Sequence, residues 1–272
     1  MTFFQKHAYR LGCGFAAFLW PFFGRRRRIS VENILKCGIT EDGKEALRIA
    51  KASWCHLAGH IAEALCVPNV VTRENWREHL DVSALPPETV RLLLDTPDKP
   101  ILLVSSHHGV WEAATNILSF ARPMIAVARV MNNGLVAKWM KNHHFRGPVT
   151  VVDKNHGFTT DVIRQWKREC AAMTLLVDQH AHKGRLLRFL GRPARTVTSA
   201  ARLAIRTGAP VVIGSFVRLG PYRYRLVGED ALRFGPDADV DEATQLMNDR
   251  LGAVIRQYPE QYLWSHRRWR DD

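Results

Sequence analysis

Ile101-Leu102-Leu103-Val104-Ser105-Ser106-His107-His108-Gly109-Val110-Trp111-Glu112 is the stretch from which the fold is read. Residues 101–106 form an apolar run that reads as a buried strand. The run delivers an imidazole to its carboxyl end. A tight turn at Gly109 follows, then a carboxylate five residues after His107, at the start of a helical pattern. A strand, a turn and a helix in that order predict an α/β unit with its chemistry at the strand end.

Outward from this unit the same alternation continues. Strands are predicted at 123–130, 149–153, 173–178 and 210–217, with helices at 135–144, 161–170 and 199–207 between them. Residues 222–227 alternate like a hairpin partner, and 241–257 reads as a closing helix. On the amino-terminal side, Thr40-Glu41-Asp42 is a capping signal. Apolar positions at helical spacing follow it: Ala46, Ile49, Ala50, Trp54, Leu57, Ile61 and Leu65, before Pro68. Pro86-Pro87 and Pro97 mark turns. The expected fold class is α/β: a single domain, with a largely parallel sheet, helices on both faces and an antiparallel edge. His107, Arg129 and Asp178 all fall at predicted strand ends.

The 272 residues suffice for one large domain with a filled core, and 46% hydrophobic content excludes a disordered chain. The net charge of +13 calls for an anionic neighbour: nucleic acid, a bilayer surface or an acidic protein. No nucleic-acid recognition motif is visible, and the arginines are dispersed, so no nucleic-acid partner is expected. Five cysteines without paired or metal-site spacing read as reduced thiols. Residues 11–23 are uncharged and rich in Phe and Trp, but too short to span a bilayer as an untilted helix. Arg25-Arg26-Arg27-Arg28 follows instead of a cleavage site. This reads as an apolar, basic segment seated in a membrane with its arginines on anionic headgroups. A core helix is the competing reading. Residues 1–28 are therefore expected to be a membrane-anchoring segment and 29–272 the catalytic domain.

The chemistry available to His107 and Glu112 is general base catalysis. A carboxylate on one ring nitrogen fixes the tautomer and leaves the other nitrogen free to take a proton. His108 is the competing imidazole, and a hydrogen-bonded structural histidine is the bland alternative. No Gly-x-Ser-x-Gly nucleophile elbow occurs. Neither His143-His144 nor His180 with His182 has metal-site spacing, so no metal and no cofactor are expected.

Five segments occur together in order. They are His107–Glu112; Ala126-Val127-Ala128-Arg129 with Asn132-Asn133 and Arg146-Gly147; Asp178-Gln179 leading to Phe189-Leu190-Gly191-Arg192-Pro193-Ala194; Gly208-Ala209-Pro210-Val211-Val212; and Tyr262-Leu263-Trp264-Ser265-His266-Arg267-Arg268-Trp269. On these the chain resembles the lipid A biosynthesis acyltransferases, the late lauroyl- and myristoyl-transferases within the wider glycerolipid acyltransferase group. The resemblance runs from about Val31 to Trp269. It implies transfer of an acyl chain from a thioester, on acyl carrier protein or coenzyme A, to a hydroxyl of a lipid A precursor or similar glycolipid. It also implies anchoring on the cytoplasmic face of the inner membrane. His107 and Glu112 become the catalytic pair, with Glu112 orienting the ring. Arg129 and Arg146 are expected to hold phosphate or developing negative charge. Asp178 and Gln179 are expected to hold substrate or an active-site loop. Lys138, Lys141, Lys183, Arg185 and Arg188 are candidate contacts for an acidic carrier protein. At Val211-Val212-Ile213-Gly214 the chain lacks the second proline more usual in the family, which bears on pocket shape. A lysophospholipid or phosphatidylinositol mannoside acceptor is the alternative, and a membrane-surface scaffold the non-enzyme one.

Overall fold

A computed structural model describes residues 1–95, 97–128, 147–153 and 158–270. Three helices come first: α1 (Phe3–Leu19), α2 (Gly24–Lys36) and α3 (Gly43–Ala64). The two-residue strand β1 (Leu80–Asp81) precedes β2 (Ile101–Ser105), α4 (Trp111–Leu118), β3 (Met124–Ala128) and β4 (Val149–Asp153). Then come α5 (Thr160–Arg168), β5 (Ala172–Leu176), β6 (Arg185–Phe189), β7 (Arg192–Thr196) and α6 (Ser199–Thr207). The chain closes with β8 (Val211–Gly220), β9 (Arg223–Gly228) and α7 (Val240–Gln257). Single-turn helices occur between some of these elements.

The main sheet has the order β1-β9-β8-β2-β5-β3-β4. Strands β8, β2, β5, β3 and β4 run parallel, and β9 is antiparallel to β8, as the 222–227 pattern predicted. The antiparallel strand is not the edge, because β1 adds to it in parallel. Strand β2 explains why its sequence is unbroken by polar residues. Leu102 and Val104 join a core with Trp166 of α5 and the apolar sides of α6 and α7. Ile101 and Leu103 join a second core on the opposite face with Ala113 and Ile117 of α4. A strand covered on both faces gains from apolar side chains at every position, about 1.5–3 kcal/mol for each large one.

Two differences from the sequence reading have local causes. Asp42 caps α3 as expected, accepting from the backbone of Lys44 and Glu45, but α3 stops at Ala64. Pro68 sits at the start of a separate turn, Val67–Val70, where its missing N–H costs nothing. The antiparallel pair β6–β7 was not foreseen. Its turn places both Leu190 (φ 50°) and Gly191 (φ 83°) in the left-handed region, and Arg and Pro193 within the strands hide the alternation. The predicted helix 135–144, and residues 129–130 of the predicted strand 123–130, lie outside the described residues.

Helix α1 packs along α3 rather than standing off the domain. A Cβ at Gly12 would lie 2.5 Å from the Ala58 carbonyl oxygen, so only glycine permits this crossing. Trp54 of α3 donates its indole N–H to the Ala16 carbonyl at 2.9 Å. Away from α3, Phe4, Leu11, Phe15, Phe18 and Phe22 are exposed, spaced seven, four, three and four residues apart. That spacing is one stripe of a helical surface. Among the described residues no helix is long and apolar enough to cross a membrane.

Candidate active site

The sheet register creates the site. Strands β2 and β5 pair with Ser105 opposite Leu176. Two residues past each strand end stand His107 and Asp178. The His107 backbone N–H donates to Asp178 Oδ2 at 3.0 Å, and ring Nδ1 meets Oδ1 at 2.8 Å. A carboxylate accepts, so Nδ1 carries the proton and Nε2 keeps its lone pair. The Gln179 side-chain nitrogen lies 3.2 Å from Nε2 and can donate to it. The Asp178 side chain is only 3% exposed and His107 18%, so the imidazole is the member presented to solvent. Burial would push the Asp178 carboxyl up. The charge of the His107 ring and the two bonds from His107 outweigh burial and hold it below its ordinary range. Asp178, expected to hold substrate or an active-site loop, turns both oxygens to His107, one of them to the backbone of the loop after β2.

Backbone clamps hold the turn that carries His107. Gly109 has φ 69°, and a Cβ there would lie 1.9 Å from the Phe216 carbonyl oxygen. Gly109 N–H donates to Gln261 O, Val110 N–H to Phe216 O and Leu263 N–H to His107 O, at 3.0, 2.7 and 3.0 Å. His108 is fully buried, and its Nε2 lies 2.9 Å from the Tyr258 carbonyl. His108 thus faces inward, whereas the His107 ring is partly exposed. The residues around 258–263 thus form half of the turn's support.

Glu112 occupies the first turn of α4, at the same end of the sheet. The Trp111 ring stands edge-on to both His107 (5.2 Å between centroids) and His60 (4.1 Å). Between β2, β8 and α4 lies a mostly apolar cavity, lined among others by Leu103, Trp111, Ala114, Gly214 and Phe216. Gly214 belongs to the segment where the chain departs from the expected proline. Arg129, Arg146, Lys138, Lys141 and His143-His144 lie outside the described residues. Lys183 and Arg188 are exposed. Arg185, also exposed, forks onto Asp241 at 2.6 and 2.8 Å. Among the described residues no group of three or more His, Cys, Asp or Glu is arranged to hold a metal.

Burial also sets a pH dependence of folding. Desolvation depresses His56, His108 and His266 to about 4, and holds His60 well below its ordinary value. In the unfolded chain these rings titrate near the ordinary value of about 6.5. Between about pH 4 and pH 6.5 the unfolded state therefore binds more protons. Stability is fully present above that window and falls as pH drops through it. Urea midpoints measured from pH 8 to pH 4 should begin to decline near 6.5, above the carboxylate range. A flat profile down to pH 4.5 would contradict the neutral burial of these rings.

An imidazole held by a buried carboxylate at the carboxyl ends of a parallel sheet is an arrangement able to act as a general base. The chain belongs to the bacterial lipid A biosynthesis acyltransferase family, whose model matches residues 3–271. It is similar to the lipid A biosynthesis palmitoleoyltransferase of Escherichia coli strain K12, 24% identical over 267 residues, or 96% of this chain and 84% of the relative. A lipid A biosynthesis acyltransferase of Shigella flexneri is similar to the same extent.

Proposed function

We propose that the protein transfers a fatty acyl chain from an acyl thioester, on acyl carrier protein, to a hydroxyl of a lipid A precursor at the cytoplasmic face of the inner membrane. The observation that carries this reading is the His107–Asp178 pair at 2.8 Å, within a chain of this family. A thioester has a good leaving group, so no covalent acyl-enzyme is needed. Nε2 of His107 takes the proton of the attacking hydroxyl as its oxygen bonds the acyl carbon, Asp178 holds the tautomer and stabilises the imidazolium, and the imidazolium returns that proton to the sulfur as the C–S bond breaks. Gln179 donates to Nε2 until the acceptor hydroxyl displaces it. Glu112, in the first turn of α4, is the second candidate carboxylate of the site. Arg129 and Arg146 hold acceptor phosphates.

The purified protein, given lipid A precursor in detergent, is expected to yield a product heavier by one acyl group with acyl carrier protein thioester as donor. Mass spectrometry reads this directly. Product with acyl-coenzyme A alone would move the donor assignment. Product only with a lysophospholipid or phosphatidylinositol mannoside acceptor would overturn the lipid A assignment.

We further propose that residues 1–28 anchor the protein by lying in the membrane surface rather than crossing it. The outward stripe from Phe4 to Phe22 and the exposed Arg25, Arg26 and Arg28 support this. Deletion of the segment would also strip α3 of its cover, so point variants are the cleaner probe. Replacing Phe4, Phe15 and Phe18 by serine removes several kcal/mol of apolar burial, at about 1.5–3 kcal/mol for each side chain fully buried. The variant should remain folded and fail to sediment with anionic vesicles at high salt. Sedimentation equal to the wild type would place the anchor elsewhere.

A further inference from the structure

The face of α1 opposite its phenylalanine stripe enters a polar chain that ends on the catalytic turn. The Tyr9 hydroxyl lies 3.0 Å from His56 Nδ1, and His56 Nε2 lies 2.9 Å from the Gly109 carbonyl oxygen. The protons can be assigned. A carbonyl only accepts, so Nε2 carries the N–H. Nδ1 of the neutral ring is then an acceptor, and the Tyr9 hydroxyl donates to it. Burial supports both states: His56, 4% exposed, is depressed to about 4, and the Tyr9 phenol is raised far out of its ordinary range.

The near end of the chain is itself fixed. The Arg218 guanidinium lies 3.6 Å above the Tyr9 ring. It forks onto the buried Glu63 at 2.8 and 3.0 Å, and Tyr224 donates to the same carboxylate at 2.9 Å. Tyr222 donates to the Gln5 carbonyl of α1 at 2.6 Å. A packing route runs in parallel. The His56 ring stacks on His60 at 5.5 Å, His60 meets Trp111, and Trp111 meets His107. None of these polar groups is needed for a helix whose only task is to touch lipid. Five polar side chains, Tyr9, Glu63, Arg218, Tyr222 and Tyr224, thus fix the inner face of α1, and the sixth, His56, links Tyr9 to the Gly109 carbonyl.

We propose that α1 is a positioning element of the active site, in which Tyr9 orients His56 and His56 holds the Gly109 carbonyl, so that His107 stands where a hydroxyl can reach it. This rests on the reading of His107 as the base. Tyr9 and His56 touch no reacting atom, so their loss should appear in kcat and leave KM for donor and acceptor unchanged.

The test uses the full chain with detergent-dispersed acceptor, so that membrane affinity plays no part. Tyr9→Phe deletes one oxygen and should lower kcat about fivefold, the change that one lost hydrogen bond produces. His56→Leu keeps the volume without polar atoms and should lower kcat by roughly 10- to 100-fold, since small displacements of a base are costly. His56→Gln can donate to Gly109 and accept from Tyr9, and should recover kcat to within about threefold of wild type. If His56→Leu does not fold, Tyr9→Phe decides alone. Wild-type kcat in folded Tyr9→Phe overturns the proposal. So does a loss confined to KM, or a His56→Gln variant as slow as His56→Leu at equal Tm. His107→Ala is measured beside them: if it keeps wild-type kcat, the base assignment falls, whereas an inactive His107→Ala with unaffected Tyr9 and His56 variants removes the positioning role alone.

Discussion

Asp178→Asn is expected to lower kcat by about 10²–10⁴-fold without unfolding the protein. Asp178 uses both oxygens, one for the His107 backbone N–H and one for ring Nδ1. An asparagine has one acceptor and one donor. If its oxygen stays on the backbone N–H, its amide faces Nδ1 and forces the proton onto Nε2, the nitrogen that must be a base. If it flips, it opposes the backbone N–H instead. His107→Ala should be at least as severe. The double variant should be little worse than His107→Ala, because the two groups act as one unit. Glu112→Ala distinguishes the carboxylates. If Asp178→Asn keeps kcat within tenfold of wild type while Glu112→Ala abolishes it, the orienting role belongs to Glu112, as the spacing from His107 first suggested.

Gly109→Ala should destabilise the whole domain and eliminate turnover in whatever remains folded. Two costs add. The left-handed φ of 69° strains any side chain, by about 1–3 kcal/mol. The new Cβ would also sit 1.9 Å from the Phe216 carbonyl oxygen, which already accepts from Val110 N–H. Neither backbone can yield without breaking a clamp on His107. A total of about 4 kcal/mol or more places the substitution among the most damaging class. Gly191→Ala is the control: its φ is 83°, but nothing lies within 4 Å of the added carbon. It should lose only the strain term. Equal changes in urea midpoint for the two variants would show that the contact with Phe216 is not what demands glycine at 109.

The lesson of comparing sequence with fold lies in which signals are local. Residues 101–112 announce a strand, a turn and a helix because apolar patterning and a turn glycine act over a few residues. The same patterning announces β5, α6, β8, β9 and α7, and with them a parallel sheet with its chemistry at the strand ends. His107 was legible as the imidazole at such an end. Its partner was not, because Asp178 is 71 residues away. What joins them is the register of β2 on β5, a matter of which residue stands opposite which. Periodicity leaves that open, since a strand apolar on both faces reads alike at any shift. That His108 faces inward while His107 is partly exposed was likewise decided by tertiary structure, when Tyr258 and the bridge to Tyr262 took His108 inside. The amino-terminal segment divides in the same way. Its aromatic content and its four arginines come from the sequence alone. Which face of α1 looks outward, and that the other face reaches the catalytic turn through Tyr9 and His56, depends on a close crossing at Gly12 that only the folded α3 can supply.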